Sequence, residues 1–400
     1  MSFPRPSSRV VLALTSVIAS GTERRLAFVY RHLIRKAPDG YLLLVTPELF
    51  SVLNRGGYRL DGLPNVHLLG GRSPFDRKAG AHATWWVNVG RMFTLQRYSQ
   101  ELRRWIERGH ATLIHLYLEM VPYHALFPLR EVPAITAVVD HLPKYFDPRT
   151  LDCQLLLRAI RHSWKADCLY PPQARRLAAL GVDRQKLNDP GRNCVNHEAF
   201  HPEEKCQSVT FSARAIDWKL PDLMPRVAEI VLRKHPDTMF HLLGKGPLVD
   251  LMEREIAMRR LEKNVKVGYR EDPSSLINRS LVHVSLDRYD NFTNQSLLEG
   301  MASGCAIVAS DVGETGHVVT PEVGRLAHPS AEAVAESILE LLSNPKAAMA
   351  MGRAAREKVL REHHVDDYVE YMLALHDLTR SEPIVGGEIS PTPRGNGDHG

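Results

Sequence analysis

Residues 285–316 read SLDRYDNFTNQSLLEGMASGCAIVASDVGETG, and their order decides the fold. A strand over Leu281–Leu286 ends in the polar loop DNFTNQ. A helix starting near Gln295 or Ser296 carries LLEGMA, and Gly304 ends it. CAIVAS is short, apolar and β-branched, a second strand that DVG breaks at the next turn. Strand, loop, helix, strand is the unit of an open α/β sheet, and its polar residues gather at strand ends, where such sheets bind ligands. The loop aims backbone N–H groups and a helix N-terminus at an anion such as a diphosphate. Glu299 lies about one turn into that helix, where a carboxylate can accept hydrogen bonds from vicinal hydroxyls of a sugar.

Working outward, 400 residues suit two domains of ordinary size or one long one, and 44% hydrophobic content can fill their cores. A net charge of +5, from 51 basic and 46 acidic residues, implies no nucleic-acid partner by itself. Five cysteines (Cys153, Cys168, Cys194, Cys206 and Cys305) are odd in number and have no CxxC spacing, so they read as reduced thiols rather than disulfides or a zinc site. The early run VVLALTSVIAS is too short to span a membrane and reads as a buried strand. A soluble, cytoplasmic chain is the expectation.

Residues 1–8 are Pro- and Ser-rich and read as loose. Val10–Val17 is a first strand, followed by a turn at Gly21 and an amphipathic helix with Leu26, Val29, Tyr30, Leu33 and Ile34 on one face. Residues 41–50 and 66–71 read as strands. Residues 88–108 look helical and carry Arg91, Arg97, Arg103, Arg104 and Arg108, just after Trp85 and Trp86. Region 85–108 has two readings: a solvated face with its tryptophans in the core, or a basic, aromatic surface that docks peripherally on the inner face of an anionic membrane. Apolar strands over 111–119 and 134–141 each carry a histidine. His115 reads as a core histidine, whereas Asp140 and His141 end their strand facing a cleft. Residues 148–161 read as a helix capped by Asp147 with Pro148 at its first position, 167–171 as a short strand, and ARRLAALGVDRQKL as a helix ending at Gly181. VTFSAR is a strand, with Lys219 five residues after Arg214. MFHLLG and VKVGYRED are further strands. The GKG between them lacks the third glycine and the acidic ribose partner of a dinucleotide fingerprint. Residues 347–379 are helical, and the tail from Ser381 is Gly- and Pro-rich and reads as disordered.

LLEGMASGCAIVASDVGET resembles the donor-binding segment of retaining GT-B glycosyltransferases of family 4, with Glu299 at the family's helix glutamate. The resemblance covers most of 207–345, with several motifs in order, and is weaker before it. The family places a second acid eight residues earlier; here Asn291 stands there and Asp290 one further back. GRNCVNHEAFHPE (191–203) resembles the interdomain hinge, with Cys194 replacing a glycine, and Ser20-Gly21-Thr22-Glu23-Arg24 resembles the N-terminal GGxER-like loop under the donor phosphates. The resemblance implies two Rossmann-like α/β domains facing across a cleft (GT-B): an acceptor domain over 9–195, a hinge over 196–206, a nucleotide-sugar domain over 207–365, and a helix over 366–380 packing back on the first domain. It implies Arg214, Lys219 and Gly21 at the donor diphosphate, Glu299 at the ribose, and Asp290, Asn291, Asn294 and Gln295 at the donor sugar. It further implies Tyr269 and Arg270 beside the base and His141 or Asp140 orienting the reacting sugar.

The expected function is retaining transfer of a sugar from a nucleoside-diphosphate sugar to an acceptor hydroxyl, without metal or cofactor. No metal motif is present, and the two cations Arg214 and Lys219 are the alternative means of neutralising a leaving diphosphate. The acceptor, whether glycan, lipid-linked or small molecule, is not named by these residues. Two other readings stand beside this one: a catalytically inactive relative of the same fold acting as a nucleotide-binding or scaffold protein, motivated by Asn291 and the altered first-domain loop, and an NAD-linked two-Rossmann oxidoreductase, against which the incomplete GxG argues.

Overall fold

The strand Val10–Leu14 is fully buried, and its side chains alternate between two cores. Val10, Leu12 and Leu14 face one, and Val11 and Ala13 the other. A strand buried on both faces is the mark of a parallel sheet covered by helices on each side. The computed structural model describes residues 9–16, 19–70, 96–97, 100–108, 111–117, 120–139, 142–191, 193–290, 292 and 294–376.

The first domain runs β1 (Val10–Leu14), α1 (Gly21–Lys36), β2 (Tyr41–Val45), α2 (Pro47–Arg55), β3 (Val66–Leu68), α3 (100–107), β4 (Leu113–Leu116), α4 (Met120–Leu126), β5 (Ala134–Val138), α5 (Leu151–His162), β6 (Lys165–Cys168), α6 (Pro171–Ala179) and β7 (Leu187–Asn188). Its described strands form a parallel sheet in the order β3-β2-β1-β4-β5-β6-β7. The second domain runs β8 (Cys206–Ser212), α7 (Met224–Leu232), β9 (Met239–Leu243), α8 (Val249–Met258), β10 (Val265–Gly268), α9 (Ser274–Ile277), β11 (Ser280–Ser285), α10 (Gln295–Ala302), β12 (Ala306–Ser310), α11 (Thr315–Val318), β13 (Gly324–Ala327), α12 (Ala331–Ser343) and α13 (Pro345–Glu362). Its sheet, also parallel, has the order β10-β9-β8-β11-β12-β13. Both sheets are doubly wound, so each has a switch point, between β1 and β4 and between β8 and β11, at which a ligand crevice opens.

α14 (Val365–His376) returns the chain to the first domain. Val365, Tyr368, Val369, Met372 and Leu375 join the core beneath α1. A helix of this length is marginal in isolation, so this packing holds it.

Several sequence expectations are corrected. Residues 41–50 are not one strand: Thr46 caps α2 by accepting from Leu49 N at 3.4 Å, and Pro47 takes its first position. α5 begins at Leu151, not at Pro148, because Thr150 is its cap, accepting from Cys153 N at 3.2 Å. Asp147 is occupied by Arg149, at 2.9 Å. The helix expected to end at Gly181 runs from Pro171 to Ala179. The expected helix 347–379 is two helices, broken where His363 Nδ1 accepts from Asn193 N at 3.0 Å. Of the expected basic and aromatic region, residues 85–95 and 98–99 lie outside the described residues.

Candidate active site

The strand ends of the second domain converge on one edge, opposite the first turn of α1. β11 ends at Ser285, and Asp287 follows, 5% exposed. Lys219, which follows β8, places Nζ 2.5 Å from Asp287 Oδ1. Burial lowers the Lys219 ammonium below its usual range, and Asp287 opposes that shift. Asn294 caps α10 by accepting from Ser296 N at 3.0 Å, and its amide donates to Asp287 Oδ2 at 2.9 Å and to Ser285 Oγ at 3.1 Å. Asn294 is therefore held by its own domain. Arg214 is exposed and stacks over the Trp218 ring at 5.7 Å. Of the expected cation pair, Arg214 is open to solvent and Lys219 is sunk against a carboxylate.

α10 is anchored from below. His283 on β11 meets Ser296 Oγ at 3.1 Å and Thr210 Oγ1 at 3.0 Å, and burial lowers its imidazole to about 4, so it is neutral. Gly300 leaves room for that ring, which a Cβ would strike. The helix thus lies close on β11 and carries Glu299 into the interior at 0% exposure. Neither Glu299 carboxylate oxygen has a hydrogen-bond partner among the described residues. Its counter-charge comes from the first domain: Arg24 Nη2 lies 3.2 Å from Oε1. Burial raises the Glu299 carboxyl to about 7, and Arg24 opposes the rise. A buried carboxylate with unfilled acceptor sites is costly unless a donor arrives, so the site is built to receive hydroxyl or N–H groups.

The cleft walls touch. A Cβ on Gly21 would lie 2.8 Å from Gln295 Cβ, so only glycine admits this approach. Gln295 Nε2 donates to Cys194 O at 3.3 Å, and its Oε1 is buried without a hydrogen-bond partner among the described residues. Asp290 is engaged from both domains. Its Oδ2 faces Tyr170 OH at 3.3 Å and Arg176 Nη2 at 3.4 Å, both in the first domain, and its Oδ1 accepts from Glu314 N at 3.1 Å. Arg55 reaches Glu271 at 2.8 Å across the same cleft. Tyr269 and Arg270 are exposed after β10, and Lys245 Nζ lies 3.6 Å from the Tyr269 ring centre. Asp140, His141 and Asn291 lie outside the described residues.

Residues 196–358 match the family Glycosyl transferases group 1. The second domain is a group 1 glycosyltransferase domain. A curated relative, the poly(ribitol-phosphate) alpha-N-acetylglucosaminyltransferase of Staphylococcus aureus (strain COL), is 29% identical over 167 residues, which are 41% of this chain and 34% of that protein. The chain therefore spans about a third of that relative's length. Among solved structures, Anabaena HepE in complex with UDP and glucose superposes with a TM-score of 0.70 at 12% identity, over 92% of this chain and 98% of that one. The sucrose-phosphate synthase of Thermosynechococcus elongatus gives 0.67 at 18% identity, over 92% and 98%. These likenesses extend across both domains and establish the GT-B architecture of two facing Rossmann-like units.

In the second domain, sequence reasoning singled out Glu299 and Lys219 but missed Asp287, which sits two residues past the end of β11 and neutralises Lys219. It named Arg24 only as part of a loop. Its pairing with Glu299 spans the two domains, and nothing in local spacing signals it.

Proposed function

We propose that the chain transfers a sugar from a nucleoside-diphosphate sugar to an acceptor hydroxyl, with retention at the anomeric carbon and without metal. The observation that carries this reading is the Glu299 carboxylate, buried at the ligand edge of a group 1 glycosyltransferase domain with both oxygens lacking hydrogen bonds among the described residues. Ribose 2′ and 3′ hydroxyls, a vicinal pair of donors, complement two acceptor oxygens. Arg214, the α10 N-terminus and the loop at Gly21 supply the positive field for the diphosphate. Lys219 joins them by exchanging part of its contact with Asp287 for a phosphate oxygen. The departing phosphate, held this way, takes the proton of the acceptor hydroxyl, so no second carboxylate is required. HepE is described with UDP and glucose, which makes uridine the first base to test. Release of nucleoside diphosphate from a panel of nucleotide sugars, with and without simple glycoside acceptors, tests the reading. Release from one donor class supports it, and none from any donor favours an inactive scaffold, the reading suggested by the Lys219–Asp287 pair.

A pH dependence follows. Hydroxyl donors need the ionised carboxylate, and Glu299 titrates at about 7. Affinity for an intact nucleotide sugar, whose diphosphate does not titrate near neutrality, is expected to rise about tenfold from pH 6 to pH 8 and to be flat in Glu299→Gln. Calorimetry at several pH values checks this, and a flat wild-type profile contradicts it. The stability linkage runs the other way. The folded carboxyl lies above its ordinary value of 4.5, so its contribution is fully present below 4.5 and is lost as pH rises through about 7.

A further inference from the structure

We propose that Arg24, on the first domain, is a positioning residue that supplies the counter-charge of Glu299 from across the cleft, so that the ribose-recognising carboxylate is assembled only when the two domains close. The inference rests on the reading of Glu299 given above.

The geometry is built from both sides. The first turn of α1 is locked in place: Glu23 accepts from Ser16 Oγ at 2.6 Å and from Ser20 N at 2.9 Å, closing a capping box around the residue before Arg24. The Arg24 side chain, 16% exposed, then crosses to Glu299, itself 1% exposed, at 3.2 Å. The titratable groups bearing on the guanidinium are Glu299 from α10, Tyr58 from the loop after α2, Tyr269 from the loop after β10, and Glu23 from α1 itself. Arg24 is the charged group that bears on Glu299 in return.

Ribose hydroxyls can fill the two vacant acceptor sites of Glu299, but they are neutral and cannot offset its charge. The guanidinium can. Removing it while the walls stay in contact leaves a buried carboxylate with no counter-ion, which takes up a proton instead. A protonated carboxyl then loses an acceptor for the ribose. Arg24 thereby couples nucleotide recognition to the closed arrangement that Gly21, Gln295 and Asp290 also mark. The other cross-cleft pairs, such as Arg175–Glu314 at 2.8 Å, close the same walls without touching Glu299.

The test compares affinities of a nucleoside diphosphate and its 2′,3′-dideoxy analogue from pH 6 to pH 9. It uses wild type, Arg24→Ala, Arg24→Lys and, as a closure control, Arg175→Ala. Titration of the terminal phosphate is common to both ligands and cancels in the ratio. Wild type is expected to prefer the ribose by roughly 10²-fold or more at pH 8, the scale of two charged hydrogen bonds. Arg24→Ala should lose that preference at pH 7 and recover it towards pH 9, while Arg24→Lys and Arg175→Ala keep it. An Arg24→Ala preference equal to wild type at pH 7, or an equal loss of affinity for both ligands, overturns the proposal. A second measurement needs no ligand. Carboxyl carbon-13 titration of labelled glutamate, assigned with Glu299→Gln, should show the Glu299 midpoint moving upward in Arg24→Ala, and an unmoved midpoint overturns the proposal. A moved midpoint in a protein that binds no nucleoside diphosphate upholds the charge pairing and refutes the donor reading instead.

Discussion

Glu299→Ala is expected to weaken nucleotide-sugar binding by roughly 10²–10⁴-fold. The estimate assigns two ribose hydroxyls to one carboxylate, each hydrogen bond to a charged group contributing about 1.5–3 kcal/mol. The position favours the upper part of that range, because Glu299 is fully buried and its oxygens have no hydrogen bonds within the described protein to compete with the ligand. Glu299→Gln keeps the shape and one acceptor, so it should fall between wild type and alanine. Calorimetric titration with the donor at pH 8 measures the series. An alanine variant within threefold of wild type would remove the ribose from this carboxylate.

Lys219→Ala is expected to damage the fold as well as the donor site. The side chains of Lys219 and Asp287 are 10% and 7% exposed, and Nζ lies 2.5 Å from Oδ1. Removing the cation leaves a buried carboxylate that still accepts from the Asn294 amide but has lost the charge of Lys219. Breaking one side of a buried pair costs about 3–5 kcal/mol, a fall in the melting temperature on the order of 10 °C. Arg214→Ala, at an exposed position, should lower donor affinity without that fall. Combining Lys219→Met with Asp287→Asn removes both charges and should restore most of the stability while leaving donor binding impaired. Thermal unfolding beside donor titration separates the two effects. Unchanged melting in Lys219→Ala would refute the structural part, and unchanged donor affinity in the double variant would refute the diphosphate part.

The second domain was readable because its signals are local. The glycine after α10, Gly304, takes a φ of 68°, and the apolar positions of α10 and β12 stand at helix and strand spacing. Glu299 could be placed from that same stretch. Arg24 and Glu299 are 275 positions apart, and a pairing between domains leaves no trace in the period of either helix. Asp287 was passed over for the same reason, since its partner Lys219 follows a different strand. The first domain misled where two capping signals were underweighted. Thr46-Pro47 begins a helix inside an apolar run, and Thr150, not Asp147, caps α5. The contacts of Asp290 with Tyr170 and Arg176 of the facing domain likewise leave no mark on its own motif.

The most direct measurement is calorimetric binding of UDP, GDP, ADP and NAD to the full chain without added metal. Saturable binding of one nucleoside diphosphate, with none of NAD, is the predicted result. Absence of binding by all three diphosphates, or preferential binding of NAD, would contradict the account.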